Sequence, residues 1–518
     1  MNTWPLLTLL IFTPWAGAML VFVLRRLLPP AAARGLTVIF SLSTLVLGLV
    51  AWNRFDPAVT TMQFTENNAW IALLNVRYHL GLDGLSLVLV LLTGIVSPLA
   101  LFGTTRGVRC PAIHGALFLW LQGSALGVFL ALDFFPWFIF WELSLVPAFF
   151  LIKLWGGPGP AAAGRAAYQF VIYTIGGSAF MLAGFAALHA ATGTFDFLQL
   201  AALAREGVLA GKLAALGGFW PQAVFLGVLL GLAVKVPLFP FHTWLPPAYA
   251  EAPTGTSMFL TGVMSKMGVY GFLRILWPVF PGPLHDAAPW LLALALGGVV
   301  LGAFAALRQT DLKRMIAYSS LNHLSYCLLA LFAVAHISPT DSAALAAVAS
   351  AKAAALGGTI LQLFNHGLSA AALFYCIGVL EDRSDGLRGI GDFGGVRTFA
   401  PVFAACCGIA LFSSLGLPGL NGFVGEFLIF RGVFGLDPGA AAIATVGLLV
   451  TALFLLTFWQ KVFHGPSAGA GVNFRDLDAT ERLTLAPLVL LMFGLGVFPQ
   501  VLIEIFNPLV TAWAANLP

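Results

Sequence analysis

Four charged residues lie inside long apolar stretches of the sequence. They are Glu142 in FPWFIFWELSLVPAFFLI, Lys235 in GLAVKVPLFPF, Lys266 in MFLTGVMSKMGVYGFL and Glu426 in NGFVGEF. Each costs about 2.5–3.5 kcal/mol at the middle of a membrane unless it is paired, neutralised or hydrated. Removal from water brings the proton affinities of Lys and Glu closer together, so both types can exchange a proton near neutral pH. The set therefore favours proton transfer at mid-membrane depth, whereas Arg274, nearer a stretch end, is interpreted as structural.

Two histidines extend this series of proton-exchanging groups. His323 in YSSLNHLSY and His366 in LQLFNHGLSAAALF lie inside apolar stretches and have Ser, Asn and Gln neighbours. Because His changes charge near neutral pH, we predict a relay role for both. For His242, beside a proline-rich break, the pattern leaves a relay role and a structural role equally open. The other six histidines lie near loops or helix ends and are interpreted as structural: His79, His114, His189, His285, His336 and His464.

The composition is that of an integral membrane protein. Of the 518 residues, 60% are hydrophobic and only 9% are charged, against about 25% charged residues in a soluble domain. This excludes a soluble enzyme, a disordered protein and a nucleic-acid binder. The five cysteines form no CxxC pair, no P-loop occurs, and no GxGxxG opens a strand–helix unit. We therefore predict neither a metal nor a nucleotide or redox cofactor in this chain.

Fourteen stretches come near the roughly 20 apolar residues that a membrane-spanning helix needs. No loop between them exceeds thirty residues, so residues 1–518 are expected to form a single transmembrane domain. Predicted spans one to fourteen cover residues 4–24, 33–52, 81–103, 112–132, 134–154, 167–191, 222–247, 254–280, 288–308, 312–336, 355–380, 399–432, 440–463 and 483–505.

The positive charges divide unequally between the two sides that fourteen spans define. Sixteen of the 25 Lys and Arg residues, Arg106 among them, fall in loops that follow odd-numbered spans. Six fall on the opposite side, and three lie inside spans. Cytoplasmic loops carry the excess of Lys and Arg in membrane proteins. We therefore predict that the odd-span loops are cytoplasmic and that both termini lie on the outer side.

Helix-breaking residues interrupt two of the predicted spans. Span seven contains VPLFPFHTWLPP, and span twelve contains GLPGLNG. Irregular backbone at this depth persists only inside protein or beside a wet cavity, and corresponding broken helices in two halves mark inverted-repeat transporters. Ion pairs that merely fix helix packing would not require such breaks. Because the two spans lie five apart, we predict inverted repeats over 112–280 and 288–463, followed by a final helix at 483–505.

Seven stretches of the sequence resemble the antiporter-like membrane-arm subunits of NADH–quinone oxidoreductase, respiratory complex I. The block around the two lysines marks the superfamily, whereas WELSLVP and NGFVGEF are typical of the M-type member, chain 4. The seven stretches are LGLDGLSLVLVLLT (80–93), FWELSLVPAFFLI (140–152), FVIYTIGGSAFML (170–182), AVKVPLFPFHTWLPPAYAEAPTGTSMFLTGVMSKMGVYGFLRI (233–275), DLKRMIAYSSLNHLSY (311–326), LQLFNHGLSAAALF (361–374) and GLPGLNGFVGEF (416–427).

The resemblance implies an all-α polytopic fold of about fourteen transmembrane helices. Helices 4–8 and 9–13 would form two inverted five-helix repeats, each with a proton half-channel, and helices 7 and 12 would be broken. Glu142 would be an acidic switch that pairs with Lys235. Lys266 and His323 would bridge the half-channels with His366 beside them. The residues implied in proton transfer are thus Glu142, Lys235, Lys266, His323, His366 and Glu426.

The resemblance also implies that the redox chemistry occurs elsewhere. NADH, FMN, iron–sulfur clusters and quinone would be bound by partner subunits. This chain would hold no cofactor or metal and would act as a subunit of a proton-translocating NADH:quinone oxidoreductase. Its expected partners are other membrane-arm subunits, including neighbouring antiporter-like subunits, and membrane lipids. The expected location is the bacterial inner membrane, with both termini in the periplasm.

Two departures from the family pattern leave alternatives open. Gln169 stands where many relatives carry Lys, and LEDRSDGLRGI (380–390) replaces a Tyr-containing, Arg-rich loop. One alternative is a D-type subunit of a multisubunit Na⁺/H⁺ antiporter. Another is a membrane subunit of a hydrogenase or of a ferredoxin-driven photosynthetic relative. The sequence leaves open whether the transported ion is a proton or sodium, because both would use the same carboxylates.

Overall fold

The computed structural model describes residues 5–104, 108–157, 159–337, 342–470 and 474–516. Arg106, one of the charges counted above, lies outside these residues. Proline begins several helices, where its missing N–H costs no helical hydrogen bond. The first seven helices are α1 (Leu6–Val23), α2 (Pro30–Arg54), α3 (Gly84–Gly103), α4 (Pro111–Leu130), α5 (Phe134–Leu143), α6 (Leu145–Trp155) and α7 (Pro160–Thr192).

The middle of the chain is built from shorter helices. Two π-helical segments, Leu260–Met264 and Phe272–Leu276, flank α13, and π-helical turns inside helices often occur at functional sites. The helices are α8 (Phe197–Arg205), α9 (Val208–Ala214), α10 (Trp220–Lys235), α11 (Leu245–Glu251), α12 (Thr254–Phe259), α13 (Lys266–Gly271) and α14 (Trp277–Val279).

Long helices return in the C-terminal half. They are α15 (Pro281–Leu307), α16 (Leu312–His336), α17 (Ser342–Arg383), α18 (Pro401–Ser414), α19 (Asn421–Leu436), α20 (Pro438–Phe458), α21 (Ala479–Val497) and α22 (Gln500–Asn516). A third π-helical segment, Trp459–Phe463, continues α20.

Two small antiparallel strand pairs accompany the helices. The strands β1 (Gln63–Ile71) and β2 (Val76–Leu82) form a hairpin between α2 and α3. The strands β3 (Phe393–Gly394) and β4 (Ala468–Gly469) form a short pair elsewhere. Residues 53–80 lie between predicted spans two and three, and the hairpin forms within this connecting segment. We call the side of the molecule that carries β1 and β2 the hairpin end.

Within the described residues, eleven helices are long and apolar enough to cross a membrane. They match eleven of the predicted spans, and the mostly helical membrane fold is confirmed. The other three predicted spans, seven, eight and twelve, consist of shorter segments. Spans seven and twelve break where proline and glycine predict it, whereas the π-helical segments of span eight have no such signal. The count of fourteen crossings and the inverted repeats over 112–280 and 288–463 stay predictions.

One predicted helix is wrong in detail, and another contains a turn. The final helix predicted at 483–505 is divided, because α21 ends at Val497 and α22 begins at Gln500, with Pro499 between them. Span five keeps its predicted length as Phe134–Trp155, but a turn at Ser144 separates α5 from α6. Proline lacks the N–H that a continuing helix needs, and Pro147 stands in the first turn of α6.

The interior of the molecule is formed by α16 and α17. In the most apolar window of α17 every residue is buried within this chain, and in that of α16 the buried share is 94%. A helix buried on all sides can hold polar groups away from lipid. These two helices carry His323 and His366.

Candidate functional site

Lys266 lies at the centre of the candidate site, directly after the first π-helical segment. Its side chain is fully buried. Its Nζ lies 2.6 Å from the carbonyl oxygen of Thr261, 3.2 Å from Ser265 Oγ and 2.8 Å from His366 Nδ1. An ammonium group has three donors and no acceptor, so protonated Lys266 is fully hydrogen-bonded here with His366 Nδ1 as acceptor. A proton can pass directly between these two nitrogens.

The series continues from His366 to α16 and α19. The ring centroids of His366 and His323 are 5.3 Å apart, with the ring planes at 35°. His323 Nδ1 lies 3.0 Å from Glu426 Oε1, although the ring N–H does not point at that oxygen as a hydrogen bond requires. Glu426 Oε1 also accepts a hydrogen bond of 3.2 Å from Gln362 Nε2. The contacts therefore run in the order Lys266, His366, His323, Glu426.

This order corrects the predicted position of His366. The sequence predicts a bridge of Lys266 and His323 with His366 at its side, but His366 lies between the two. The reason is a close approach of two glycines. A Cβ added at Gly367 would lie 2.8 Å from the carbonyl oxygen of Gly262, so α17 packs directly against the π-helical segment before Lys266.

Lys235 and Glu142 are neighbours, but they do not form an ion pair in this structure. Lys235 ends α10, is buried, and has no hydrogen-bond partner for Nζ among the described residues. Its Nζ lies 5.0 Å from the ring centroid of Trp141, within the range of a cation–π interaction. Glu142 follows Trp141, leaves its Oε1 without a hydrogen bond, and acts on Lys235 electrostatically. The predicted pair is therefore open.

No direct contact joins Lys235 to Lys266 among the side chains that the structure describes. Their backbones are nevertheless close. A Cβ at Gly268 would lie 2.5 Å from Val236 Cγ2 and 2.9 Å from Val236 N, so α13 touches the residue after Lys235. The two lysines thus lie on elements that touch, but the series of polar contacts is interrupted between Lys235 and Lys266.

The proline-rich break after α10 leaves backbone carbonyl groups without helical hydrogen bonds. Side chains donate to these carbonyl groups, because buried polar backbone groups need hydrogen-bond partners. Trp244 Nε1 donates to the carbonyl oxygen of Val234 at 2.9 Å. Gln169 Nε2 donates to the carbonyl oxygen of Thr243 at 3.1 Å, so the residue that departs from the family pattern contacts this break. His242 lies in the same break and leaves its Nδ1 without a partner among the residues that the structure covers.

The break before α19 is held by Asn421, which was not among the predicted site residues. Asn365 Nδ2 donates to the carbonyl oxygen of Asn421 at 2.6 Å, and Asn421 Nδ2 donates to that of Asn365 at 3.3 Å. Ser413 Oγ donates to Asn421 Oδ1 at 2.6 Å. These bonds tie α17, α18 and α19 together beside Glu426. The sequence feature that could have identified it is an Asn beside the helix break inside an apolar span.

Gly416 provides a test of how the break positions Glu426. Its φ is +77°, which strains any residue with a Cβ, and that Cβ would lie 2.9 Å from Glu426 Oε2. The nearby Gly419 has a φ of +93° but open space around its Cβ position. We expect Gly416→Ala to reduce several-fold the proton translocation that the resemblance implies. Gly419→Ala is the matched control, because it carries a similar backbone strain of about 1–3 kcal/mol without the clash. Equal losses of proton uptake in the two variants would contradict positioning through Glu426.

A separate titratable cluster lies at the hairpin end, formed by His79 on β2, Asp133 before α5 and Asp196 before α8. His79 Nδ1 lies 2.5 Å from Asp196 Oδ2, and Asp133 accepts hydrogen bonds from the backbone N–H groups of Arg77 and Phe135. Burial raises the pKa of Asp133 to about 6, and the nearby charge of Asp196 adds to this, while its hydrogen bonds and His79 oppose it. The folded protein therefore binds a proton on Asp133 more tightly than the unfolded chain does. Asp133 adds to the free energy of unfolding in acid, and this contribution is lost as the pH rises through about 6.

The arrangement can pass protons through named groups. Lys266, His366, His323 and Glu426 are all titratable, and their contacts form a continuous series through the buried middle of the chain. Among the described residues, no group of three or more His, Cys, Asp and Glu side chains could hold a metal ion.

Comparison with known proteins gives consistent matches over most of the chain. A family model described as NADH:quinone oxidoreductase/Mrp antiporter, TM, matches residues 131–452. The chain is 34% identical to NADH-quinone oxidoreductase subunit M of Mycobacterium tuberculosis, over 98% of this chain and 94% of that one. It is 36% identical to F420H2 dehydrogenase subunit M of Methanosarcina mazei, over 96% of each chain. A chain of respiratory complex I from Thermus thermophilus with bound NADH is 29% identical, with a TM-score of 0.83, and the match covers 99% of this chain and 100% of that one.

Proposed function

This chain belongs to the NADH:quinone oxidoreductase/Mrp antiporter transmembrane family, and from that premise we propose that it is the M-type proton-translocating membrane-arm subunit of an NADH–quinone oxidoreductase. The predicted resemblance is thereby confirmed. The observation that carries the proposal is the buried contact series from Lys266 through His366 and His323 to Glu426. Such ionisable groups inside a membrane protein mark proton relays.

The Glu142–Lys235 pair is the proposed switch of this relay. A carboxylate next to an ammonium stabilises the charged form, so closing the pair would hold the proton on Lys235. With the pair open, as here, Lys235 faces Trp141 instead and can release its proton toward Lys266. Lys266 Nζ would then pass a proton to His366 Nδ1 across 2.8 Å, and His323 would pass one on to Glu426.

Partner subunits supply the redox chemistry in this proposal. They would bind NADH, FMN, iron–sulfur clusters and quinone, and this chain would hold none of them. Relatives named for two different electron donors, NADH and F420H2, share this kind of chain at 34% and 36% identity, which supports a donor site outside it. The protein is a multi-pass membrane protein. The unequal charge distribution supports an inner-membrane location with both termini periplasmic.

The alternatives differ in how much supports them. The family description covers Mrp antiporters, so a D-type Na⁺/H⁺ antiporter subunit shares the family, but the whole-chain relatives described above are M subunits of oxidoreductases. The identity of 36% to F420H2 dehydrogenase subunit M favours a second candidate, the same proton-translocating role beside another electron donor. The hydrogenase and ferredoxin-driven alternatives have no comparable match among these relatives.

Purification of the tagged chain from its native membrane tests the proposed assembly. We expect mild detergent to release it with NADH–quinone oxidoreductase subunits in stoichiometric amounts, identified by mass spectrometry. A series of polar groups that runs laterally within the membrane needs neighbouring subunits to continue it. A chain that purifies alone as a folded, monodisperse and proton-conducting protein would contradict the proposal. Co-purification with small antiporter subunits or with an F420H2-oxidising subunit would select an alternative.

A further inference from the structure

A cavity of about 440 Å³ lies at the hairpin end, apart from the relay residues. Its walls come from α8, the end of span eight, the start of α15 and the C-terminal α22. Most of its lining is apolar, and three charged residues, Asp83, Arg205 and Arg274, line it as well. The relay does not use this cavity.

The charged residues of the cavity leave it electropositive. Arg274 is buried and donates through Nη2 to Asp83 Oδ2 at 2.6 Å and through Nε to the hydroxyl of Tyr270 at 3.2 Å. Its Nη1 makes no hydrogen bond within the described residues. Arg205, the last residue of α8, is exposed and has no ion-pair partner there. Two guanidinium groups against one carboxylate leave one positive charge and free donors for an anion.

The apolar walls specify what kind of anion fits. Trp277 and Trp513 line the cavity together with Leu198 and Leu509. Tryptophan is enriched where a membrane meets water, at the level of lipid headgroups. An inorganic anion would gain nothing from these side chains, whereas an anion attached to an acyl chain would bury its chain against them.

We propose that this cavity binds an anionic phospholipid. The phosphate lies between Arg205 and the free Nη1 of Arg274, and the first part of an acyl chain lies against Leu509 and Trp513. Asp83 holds Arg274 in place for this contact, which gives the buried Arg274–Asp83 pair a role beyond packing.

Photo-crosslinking in the intact complex tests the site. The complex would be reconstituted into nanodiscs with a small fraction of phosphatidylglycerol that carries a diazirine on its acyl chain, and labelled peptides would be mapped by mass spectrometry. We expect labelled peptides from α8 and α22. Excess phosphatidylglycerol should compete, whereas phosphatidylcholine and inorganic phosphate should not.

Variants separate the site from general lipid contact. Arg205→Gln should lower labelling of these two helices about tenfold through loss of a charge-assisted contact, and Ala201→Trp should lower it by filling the cavity. Lys212→Gln on α9 is the matched control, because Lys212 is also exposed at this end but does not line the cavity. Equal labelling in Arg205→Gln, equal competition by phosphatidylcholine or by inorganic phosphate, or a neighbouring subunit's side chain filling the cavity would overturn the proposal.

Discussion

We expect the assembled complex with Glu142→Gln to translocate protons about tenfold more slowly, or slower still, than the wild type. A tenfold lower rate corresponds to about 1.4 kcal/mol in the activation free energy of the rate-limiting step. Gln keeps the shape of the side chain and removes the charge that acts on Lys235. Lys235→Ala should have a similar effect, and the double variant should be little worse than either single variant, as for residues that act as one unit. The measurement is NADH-driven proton uptake by sealed vesicles.

Two control variants accompany this prediction. Glu142→Asp keeps the charge but shortens the side chain by one methylene, so it should retain part of the activity. Glu206→Gln removes an exposed carboxylate after α8, outside the relay, and should leave proton uptake unchanged. Normal pumping by assembled Glu142→Gln complex would leave Glu142 as a packing residue.

Glu426→Gln is expected to reduce proton translocation by a similar factor, about tenfold or more. The carboxylate lies 3.0 Å from His323 Nδ1 and is buried, so its replacement takes away the group that we propose receives a proton from His323. The Gln carbonyl oxygen can still accept the hydrogen bond from Gln362 Nε2, which preserves the local packing. Proton uptake and the assembly state of the purified complex would be measured together.

The matched control for Glu426→Gln is Glu504→Gln on α22. Glu504 is exposed in this chain and shares no hydrogen bond or ion pair with the described residues of the proposed relay, so its replacement should leave proton uptake at the wild-type level. An assembled Glu426→Gln complex with full proton uptake would place the end of the path elsewhere.

The residues of the proposed relay could be singled out from the sequence because a charge in an apolar span is costly and therefore conspicuous. The same holds for the breaks in spans seven and twelve, since proline and glycine act locally on the helix that contains them. The structure brings Lys266, His366, His323 and Glu426 into contact, whereas Lys235 is buried beside Trp141 and Glu142 is partly buried.

The order of the relay was not predictable in this way. It depends on Gly262 and Gly367, which are far apart in sequence and let two helix backbones meet. The open Glu142–Lys235 pair likewise depends on the position of Trp141 between neighbouring helices. Asn421 was missed because an Asn in an apolar span carries no charge. Its role appears only where its amide meets Asn365 on another helix.

The missed local features have a different cause. The strands β1 and β2 pair with each other, and Leu80 of β2 also forms a single bridge with Ala131, whereas hydropathy alone gives this segment no helical or strand character. The division between α21 and α22 falls inside a continuous apolar stretch, where hydropathy outweighed the single Pro499. In both cases the length and hydropathy of the segment do not determine its secondary structure, which depends on backbone geometry.

The number of protons taken up per NADH oxidised by sealed vesicles tests the central claim most directly. The claim is that protons moved by this subunit pass along the buried series from Lys235 to Glu426. In assembled complexes carrying Glu142→Gln or Glu426→Gln, we predict that this number falls below the wild-type value. A wild-type number of protons per NADH in both assembled variants would show that the protons take another route.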